Sequence, residues 1–345
     1  MSAGIEATGI RFPDSTTTPG PMTCGALVGV DVKAVSAGNH LCDRTYQVPL
    51  SRSADYIPSI VKICRKEKID LIIPTTDSET YYLALAREKL PVLASSDADV
   101  AQTFLNKYKT WLAFKKFKIP FAETRLPSEY KKEFKEFIVK PAEGVGSKGI
   151  QINPKNPESF PDSYIIQKLY KGQEITTAFY VTKRRKLLGM MTFIRVLFHG
   201  TTTICEVTFK YKKELKKIIK KIIDNFDIKG SCDMQSIVNA NGRIVPFELN
   251  CRLSGTNSIR GQFGFEDVRY TIDEYLFNKQ PREPSVKKGS AIRIWMDIIY
   301  PDAKLSGIDI SKAAILEGRK KYKNINLFTI NAEIKLQFKN SPFDL

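Results

Sequence analysis

Histidine is nearly absent from this chain of 345 residues, with His40 and His199 the only two. That disfavours a histidine-based catalytic triad and a multi-histidine metal centre. Six cysteines (Cys24, Cys42, Cys64, Cys205, Cys232, Cys251) are scattered without a C-x-x-C pair. Neither a zinc site nor a disulfide framework is indicated, and a reducing compartment is expected. No G-x-x-x-x-G-K-[ST] loop occurs, which excludes a Walker A phosphate site. No apolar run reaches the ~18 residues of a membrane span. The opening Met1-Ser2-Ala3-Gly4-Ile5-Glu6 does not read as a signal peptide. A cytoplasmic protein with no membrane partner is the expectation.

What is present is a soluble globular composition, 42% hydrophobic and 26% charged, long enough for two or three domains. The net charge of +17 raises the question of nucleic acid. The lysines are spread along the chain, however, and the densest group, Lys210 to Lys221, is interleaved with Leu215, Ile218, Ile219, Ile222, Ile223 and Phe226 at helical spacing. This reads as an amphipathic surface helix, so nucleic acid is disfavoured as a partner.

Along the chain, residues 26–31 read as a buried parallel strand, followed by a helix around Ile57, Ile60, Val61 and Cys64. Asp70–Pro74 is the next strand, residues 79–89 a helix and Pro91–Ala94 another strand. The alternation predicts a Rossmann-like α/β domain over residues 1–95. Residues 1–25, rich in Thr, Pro and Gly, offer no convincing strand, so that domain is expected to be atypical or truncated at its front. One long helix is predicted from Asp97 to Phe117, and two antiparallel strands near 175–183 and 186–197.

Two stretches carry chemistry. The first is Phe137-Ile138-Val139-Lys140-Pro141-Ala142-Glu143-Gly144-Val145-Gly146-Ser147-Lys148-Gly149-Ile150, an apolar run feeding a lysine and a glycine-rich loop. It suits polyphosphate, and it is equally compatible with a plain glycine-rich hairpin. The second centres on Asn241-Gly242, which predicts a two-residue type I′ turn. The implied register sets Val238 against Val245, Gln235 against Glu248, and Asp233 against Asn250. Alternation then gathers Asp233, Gln235, Glu248, Asn250 and Arg252 on one face, with Cys232, Met234, Val238, Val245, Phe247, Leu249 and Cys251 on the other. Carboxylate and amide oxygens suit magnesium; the alternative is a polar face that merely meets water.

In this order, the glycine loop with its lysine, a strand ending in Gly172-Gln173-Glu174, and Phe247-Glu248-Leu249-Asn250-Cys251-Arg252 resemble the ATP-grasp superfamily. The resemblance is to its carbamoyl-phosphate-synthase-like branch of carboxylate–amine ligases, over about residues 26–299. It implies a two-subdomain ATP-grasp domain at 96–299, nucleotide-binding over about 107–173 and catalytic over about 174–299. By the same resemblance Lys107 and Lys140 reach the phosphates, and residues 144–149, with Gly144, Gly146, Ser147, Lys148 and Gly149, form a flap over them. Lys168 and Tyr170 stand where the family holds adenine by backbone groups, Gln167 where an acid is common, and Glu174 where the ribose binds. Gln235, Glu248 and Asn250 become magnesium ligands with Asp233 behind them. Arg252 neutralises the transferred phosphoryl group. ATP and two magnesium ions, with manganese able to substitute, are the implied cofactors.

The last residues resemble something else. Tyr300–Ser311, a helix, and Ile325–Glu333 look like the middle of a class I S-adenosylmethionine-dependent methyltransferase, with Asp309 and Asn331 at its ribose and adenine positions. The glycine-rich segment that should precede it is missing, so no methyl transfer is expected of this α/β fragment at 300–345. A fusion junction, a truncated frame and a short appendage stay open. Residues 279–290 read as a linker before the last ATP-grasp strand.

The function these features predict is ATP-dependent amide or peptide-like bond formation between a small carboxylate and an amine, through an acyl phosphate, by a monomer or homodimer. The alternatives are bicarbonate phosphorylation and an inactive nucleotide-binding protein. Ser254–Asn257 is either a loop that holds the acceptor or an ordinary turn, and His199 either lines the cleft or is structural.

Overall fold

A computed structural model describes residues 7–11, 25–34, 36, 38, 41–144, 149–198, 200–294, 305–309 and 325–329. The chain divides into two compact units, Met1–Ile292 and Arg293–Leu345.

The first sheet of the larger unit contains β1 (Ala7–Arg11), β2 (Ala26–Asp31), β3 (Arg44–Gln47), β4 (Leu71–Pro74) and β5 (Val92–Leu93), in the order β3-β2-β1-β4-β5. β2 runs parallel to β3 and β4 parallel to β5, while β1 lies antiparallel between β2 and β4. This corrects the expectation that residues 1–25 hold no strand. A gap between β2 and β4 would leave two rows of backbone N–H and C=O groups unpaired at the sheet centre, and pairing with both neighbours outweighs an unpromising local composition. All four residues of β4 are buried, and alternation divides them. Ile72 packs with Val28, Val30, Tyr56, Ile60 and Leu83 under α1 (Tyr56–Glu67) and α2 (Asp77–Leu85). Leu71 and Ile73 face the other way, against Leu253.

A helical stretch then leads to the second sheet, and it is broken where a single helix was predicted. α3 (Ala98–Leu105) ends, and α4 (Lys107–Lys116) starts afresh on Asn106, whose side-chain oxygen accepts from the N–H groups of Tyr108 (3.0 Å) and Lys109 (3.1 Å). Asparagine is among the strongest N-caps, which the helical periodicity on both sides concealed. The second sheet, β6 (Thr124–Arg125), β7 (Phe137–Pro141), β8 (Gln151–Ile152) and β9 (Tyr164–Lys168), is antiparallel in the order β6-β9-β7-β8.

The third sheet has the order β14-β13-β10-β11-β12-β15 and is antiparallel throughout. Its strands are β10 (Gln173–Val181), β11 (Leu187–Phe198), β12 (Thr201–Thr208), β13 (Gly230–Val238), β14 (Ile244–Asn250) and β15 (Ser290–Ile292). One face is covered by α5 (Lys212–Asn225), whose Leu215, Ile218, Ile219, Ile222 and Ile223 are buried as the sequence pattern requires. Each such side chain contributes about 1.5–3 kcal/mol before entropy is counted. α3, α4 and Phe226 close the same core, with the Phe226 ring 5.2 Å from that of Phe104. On the opposite face Ala178, Tyr180, Met191, Phe193, Cys205 and Val207 pack with Phe265 and Tyr270, near α6 (Asn257–Gln262) and α7 (Asp267–Tyr275).

In the smaller unit, β16 (Leu305–Asp309) and β17 (Ile325–Thr329) pair in parallel, Leu305 opposite Ile325. The expected helix between them, and Asn331, lie outside the described residues.

Candidate active site

Alternation along the third sheet sets up the site. On the face where Ala178 and Tyr180 are apolar, the next residues toward the start of β10 are Thr176 and Glu174, and the cross-strand positions are Asp233 and Gln235. The face changes from core to polar within one strand.

The β13–β14 hairpin differs from expectation near its turn. The loop is Ala240–Gly242 rather than two residues: Asn239 N–H donates to the Arg243 carbonyl (3.1 Å) and Gly242 N–H to the Asn239 carbonyl (2.9 Å). Only Gly242 has positive φ (+75°), whereas a type I′ turn needs two such residues. The Asn239 side-chain oxygen accepts from Asn241 N–H (3.1 Å) and Arg243 N–H (2.9 Å), which stabilises the longer loop. Val238 therefore opposes Ile244, and Val245 opposes Ile237 on the polar face, not the core face. A bulge at Phe247 then restores the phase, so that Gln235 opposes Glu248 and Asp233 opposes Asn250 as predicted.

Glu248 is the centre of the cluster. Lys107, first residue of α4, is fixed by its N–H to the Ala142 carbonyl (2.9 Å), and its Nζ lies 3.4 Å from the Gly144 carbonyl and 3.7 Å from Glu248 Oε1. Lys140 is buried on β7 with Nζ 5.3 Å from the centre of the Phe247 ring. Burial, with Lys107 adding to it, pushes its ammonium down to about 8, although Glu248 and Glu174 oppose the shift. Burial works to raise the Glu248 carboxyl, yet Lys107, Lys140 and Arg252 together hold it below its ordinary value. Asn250 is buried with its Nδ2 unpaired; it lies near enough to help hold Glu248 low without the geometry of a full hydrogen bond.

Arg252 reaches across to the first sheet. Its Nε (3.2 Å) and Nη2 (2.9 Å) both donate to Asp77 Oδ2. Asp77 opens α2, behind the capping residue Thr76, whose Oγ1 accepts from Glu79 N–H (3.3 Å). Glu174 and Gln235 are joined by Arg195: Nε (3.1 Å) and Nη2 (2.8 Å) donate to Glu174 Oε1, and Nη2 also to Gln235 Oε1 (2.8 Å). Asp233 is held by Thr176 Oγ1 at 3.0 Å and by Arg260 at 3.5 Å. Arg260 is fully buried and also binds Ser254 (2.8 Å), Thr256 (3.4 Å) and Asp267.

At the nucleotide end, Gln167 is buried and donates to Thr124 Oγ1 (3.0 Å). The Lys168 N–H is taken by the Glu123 carbonyl (2.8 Å) and that of Leu169 by Glu136 (3.0 Å), which leaves any adenine contact to the Lys168 carbonyl or the Tyr170 N–H. β7 and β8 close the glycine loop as a hairpin, with Gly144 and Gly149 against Pro141. Gly146, Ser147, Lys148 and His199 lie outside the described residues. Ser254 and Thr256 share a 3.0 Å hydroxyl contact beneath Arg260.

Three residues escaped the sequence reading: Asp77, Arg195 and Arg260. Arg195 had a signal, being the lone charge inside the apolar run Leu187–Phe198. Asp77 had a weaker one, an acid just past the carboxyl end of a buried strand, where α/β sheets bind ligands. Arg260 had none.

Two family models match this sequence: PylC-like, N-terminal domain, over residues 20–93, and ATP-grasp domain, over residues 104–256. Neither extends to residues 300–345. Comparison with curated proteins gives no match. Among solved structures, the biotin carboxylase domain of Hydrogenobacter thermophilus 2-oxoglutarate carboxylase, in complex with MgADP, ADP and bicarbonate, is similar with a TM-score of 0.62 at 13% identity, over 76% of this chain and 67% of that one. N5-carboxyaminoimidazole synthetase from Staphylococcus aureus with ADP gives 0.63 at 13%, over 77% and 75%. L-amino acid ligase from Bacillus licheniformis gives 0.54 at 14%, over 68% and 63%. At such identities the likeness is one of fold. Residues 104–256 are thus an ATP-grasp domain, of a family of ATP-dependent ligases, and they follow a PylC-like N-terminal domain at residues 20–93.

Proposed function

We propose that this protein is an ATP-dependent carboxylate–amine ligase that forms an amide through an acyl phosphate. The observation that carries the reading is one half-buried carboxylate, Glu248, among Lys107, Lys140 and Arg252, on a face shared with Gln235 and Asn250. Such a site is charged to receive a polyphosphate and poorly suited to acid–base chemistry by histidine. Gln235, Glu248 and Asn250 would hold magnesium: on one face of adjacent strands they offer the carboxylate and amide oxygens that a hard cation takes. Magnesium, when bound, supplies charge neutralisation and orientation of the phosphate oxygens.

The side chains of the chain divide the remaining work. Lys107 and Lys140 bind the phosphates, Glu174 takes the ribose, and backbone groups of Lys168 and Tyr170 take adenine. Arg252 offsets the charge that develops on the phosphoryl group in flight. A carboxylate oxygen of the acid attacks the γ-phosphorus, and the bond to ADP breaks with its electrons left on ADP. The amine, having shed one proton from its ammonium form, then attacks the acyl carbon. The C–O bond to phosphate breaks, and the second proton leaves with the phosphate. Arg195 keeps Glu174 and Gln235 in place between these steps.

The test is ADP release by purified protein with MgATP and pooled small acids and amines. Release should require both an acid and an amine, and Glu248→Gln should abolish it. Release with bicarbonate alone, or ATP binding without turnover in every pool, would refute the reading.

A further inference from the structure

Resting on the ligase reading above, we propose that Asp77 binds the amine co-substrate as an ammonium, so that the PylC-like domain determines which amine is used. Both the acid and the triphosphate are anions and are drawn to Lys107, Lys140 and Arg252. The amine arrives as a cation and needs a carboxylate beside them.

Few are available. Asp233 accepts from Thr176 on both oxygens and faces Arg260. Glu174 takes two bonds from Arg195 and is assigned to the ribose. Glu248 meets Lys107 and is assigned to the metal. Asp77 receives both Arg252 bonds on Oδ2 alone, and no described residue donates to its Oδ1. Glu174 likewise receives both Arg195 bonds on one oxygen, Oε1, but it is assigned to the ribose and Glu248 to the metal, so Asp77 is the carboxylate of this group with both an open oxygen and no ligand assigned to it.

Its position suits the task. Arg252, which it touches, is the group assigned to the transferred phosphoryl, so a nitrogen held at Oδ1 is near the carbon it must attack. The contact is supported by packing, since Leu71 and Ile73 of β4 lie against Leu253, the residue after Arg252. β2 and β4 run the same way, both antiparallel to β1, so Asp31 at the end of β2 shares this carboxyl edge of the sheet. Burial raises the Asp77 carboxyl, Arg252 works against that, and Glu248 adds to it, an environment that an arriving ammonium relieves.

The experiment uses the full chain, MgATP and an acid that supports turnover, with two kinds of nucleophile. One is hydroxylamine, largely uncharged at neutral pH, which traps the acyl phosphate as a hydroxamate. The other is a set of primary amines, the proteinogenic amino acids, carrying ammonium groups. Asp77→Asn should raise the amine KM about tenfold or more, the loss of a charged hydrogen bond, while hydroxamate formation falls less than about threefold. Asp77→Glu should restore the amine KM to within about threefold, and MgATP affinity reports that both variants fold. Equal losses with hydroxylamine and amine would mean that Asp77 acts only through Arg252, and an unaltered amine KM would also overturn the assignment. Absence of hydroxamate and ADP from the unmodified protein with every acid would instead remove the ligase reading itself.

Discussion

The depressed ammonium of Lys140 makes nucleotide binding pH-dependent in a direction that can be worked out. Free in the cleft it titrates at about 8, well below the ordinary 10.5, because burial penalises its charge. Bound phosphates supply the missing counter-charge and return it above the measured range, so binding takes up a proton: about half a proton at pH 8 and nearly a whole one at pH 9. ATP affinity should be flat below pH 7, fall about twofold at pH 8 and about tenfold at pH 9. The assay is calorimetric titration with a non-hydrolysable ATP analogue and magnesium, repeated in buffers of different ionisation enthalpy to count protons. Lys140→Met should bind more weakly at every pH and lose the slope. A flat profile in the unmodified protein, or the same slope in Lys140→Met, refutes the reasoning. Folding is linked to the same group. The unfolded lysine keeps its proton up to about 10.5 and the folded one loses it near 8, so this lysine destabilises the fold below pH 8 and the penalty, about 3 kcal/mol, is relieved as pH rises between the two values.

Other substitutions test the scaffold. Asn106→Ala removes the cap of α4 and should cost about 1 kcal/mol in denaturant unfolding, with weaker ATP binding because Lys107 sits in the first turn. At Gly172, φ is +152° and an added Cβ would lie 2.0 Å from the Val238 carbonyl oxygen. Gly172→Ala should therefore lower stability by about 3 kcal/mol in thermal unfolding, as backbone is forced apart. Arg260→Met strands Asp233 and Asp267 in the interior and should cost about 3–5 kcal/mol; adding Asp267→Asn should recover part of it, a non-additivity readable in a double-mutant cycle.

The elements legible in the sequence were those with strong local periodicity. α5, with isoleucines and leucine recurring at helical spacing, and β4, an apolar run bounded by Asp70 and Pro74, appear as expected. β1 was invisible because its stabilisation comes from partners on both sides, fifteen or more residues away, and not from its own composition. The break at Asn106 was hidden for the opposite reason: apolar spacing continued across it, and only the cap chemistry marked it. Within the candidate site, alternation along one hairpin sets Gln235, Glu248 and Asn250 on one face, and the register bears out that placement. Asp77 and Arg260 were missed because their roles depend on which element packs on that hairpin. The Glu248 register itself was right through two opposing departures, a loop one residue longer than predicted and a bulge that absorbed the difference.

That bulge has a meaning for how the chain tolerates changes of length. Phe247 is one residue more than the ladder between Ser236 and Gln235 requires. A single deletion between Ile244 and Phe247 can be taken up by straightening the strand, with Glu248 still opposite Gln235 and the Lys140 ammonium deprived only of the aromatic ring beside it. A second deletion has no slack to draw on and would turn Glu248 and Asn250 toward α5, away from Lys107. Length variation in this hairpin is thus confined to one residue, and the chain already carries that residue.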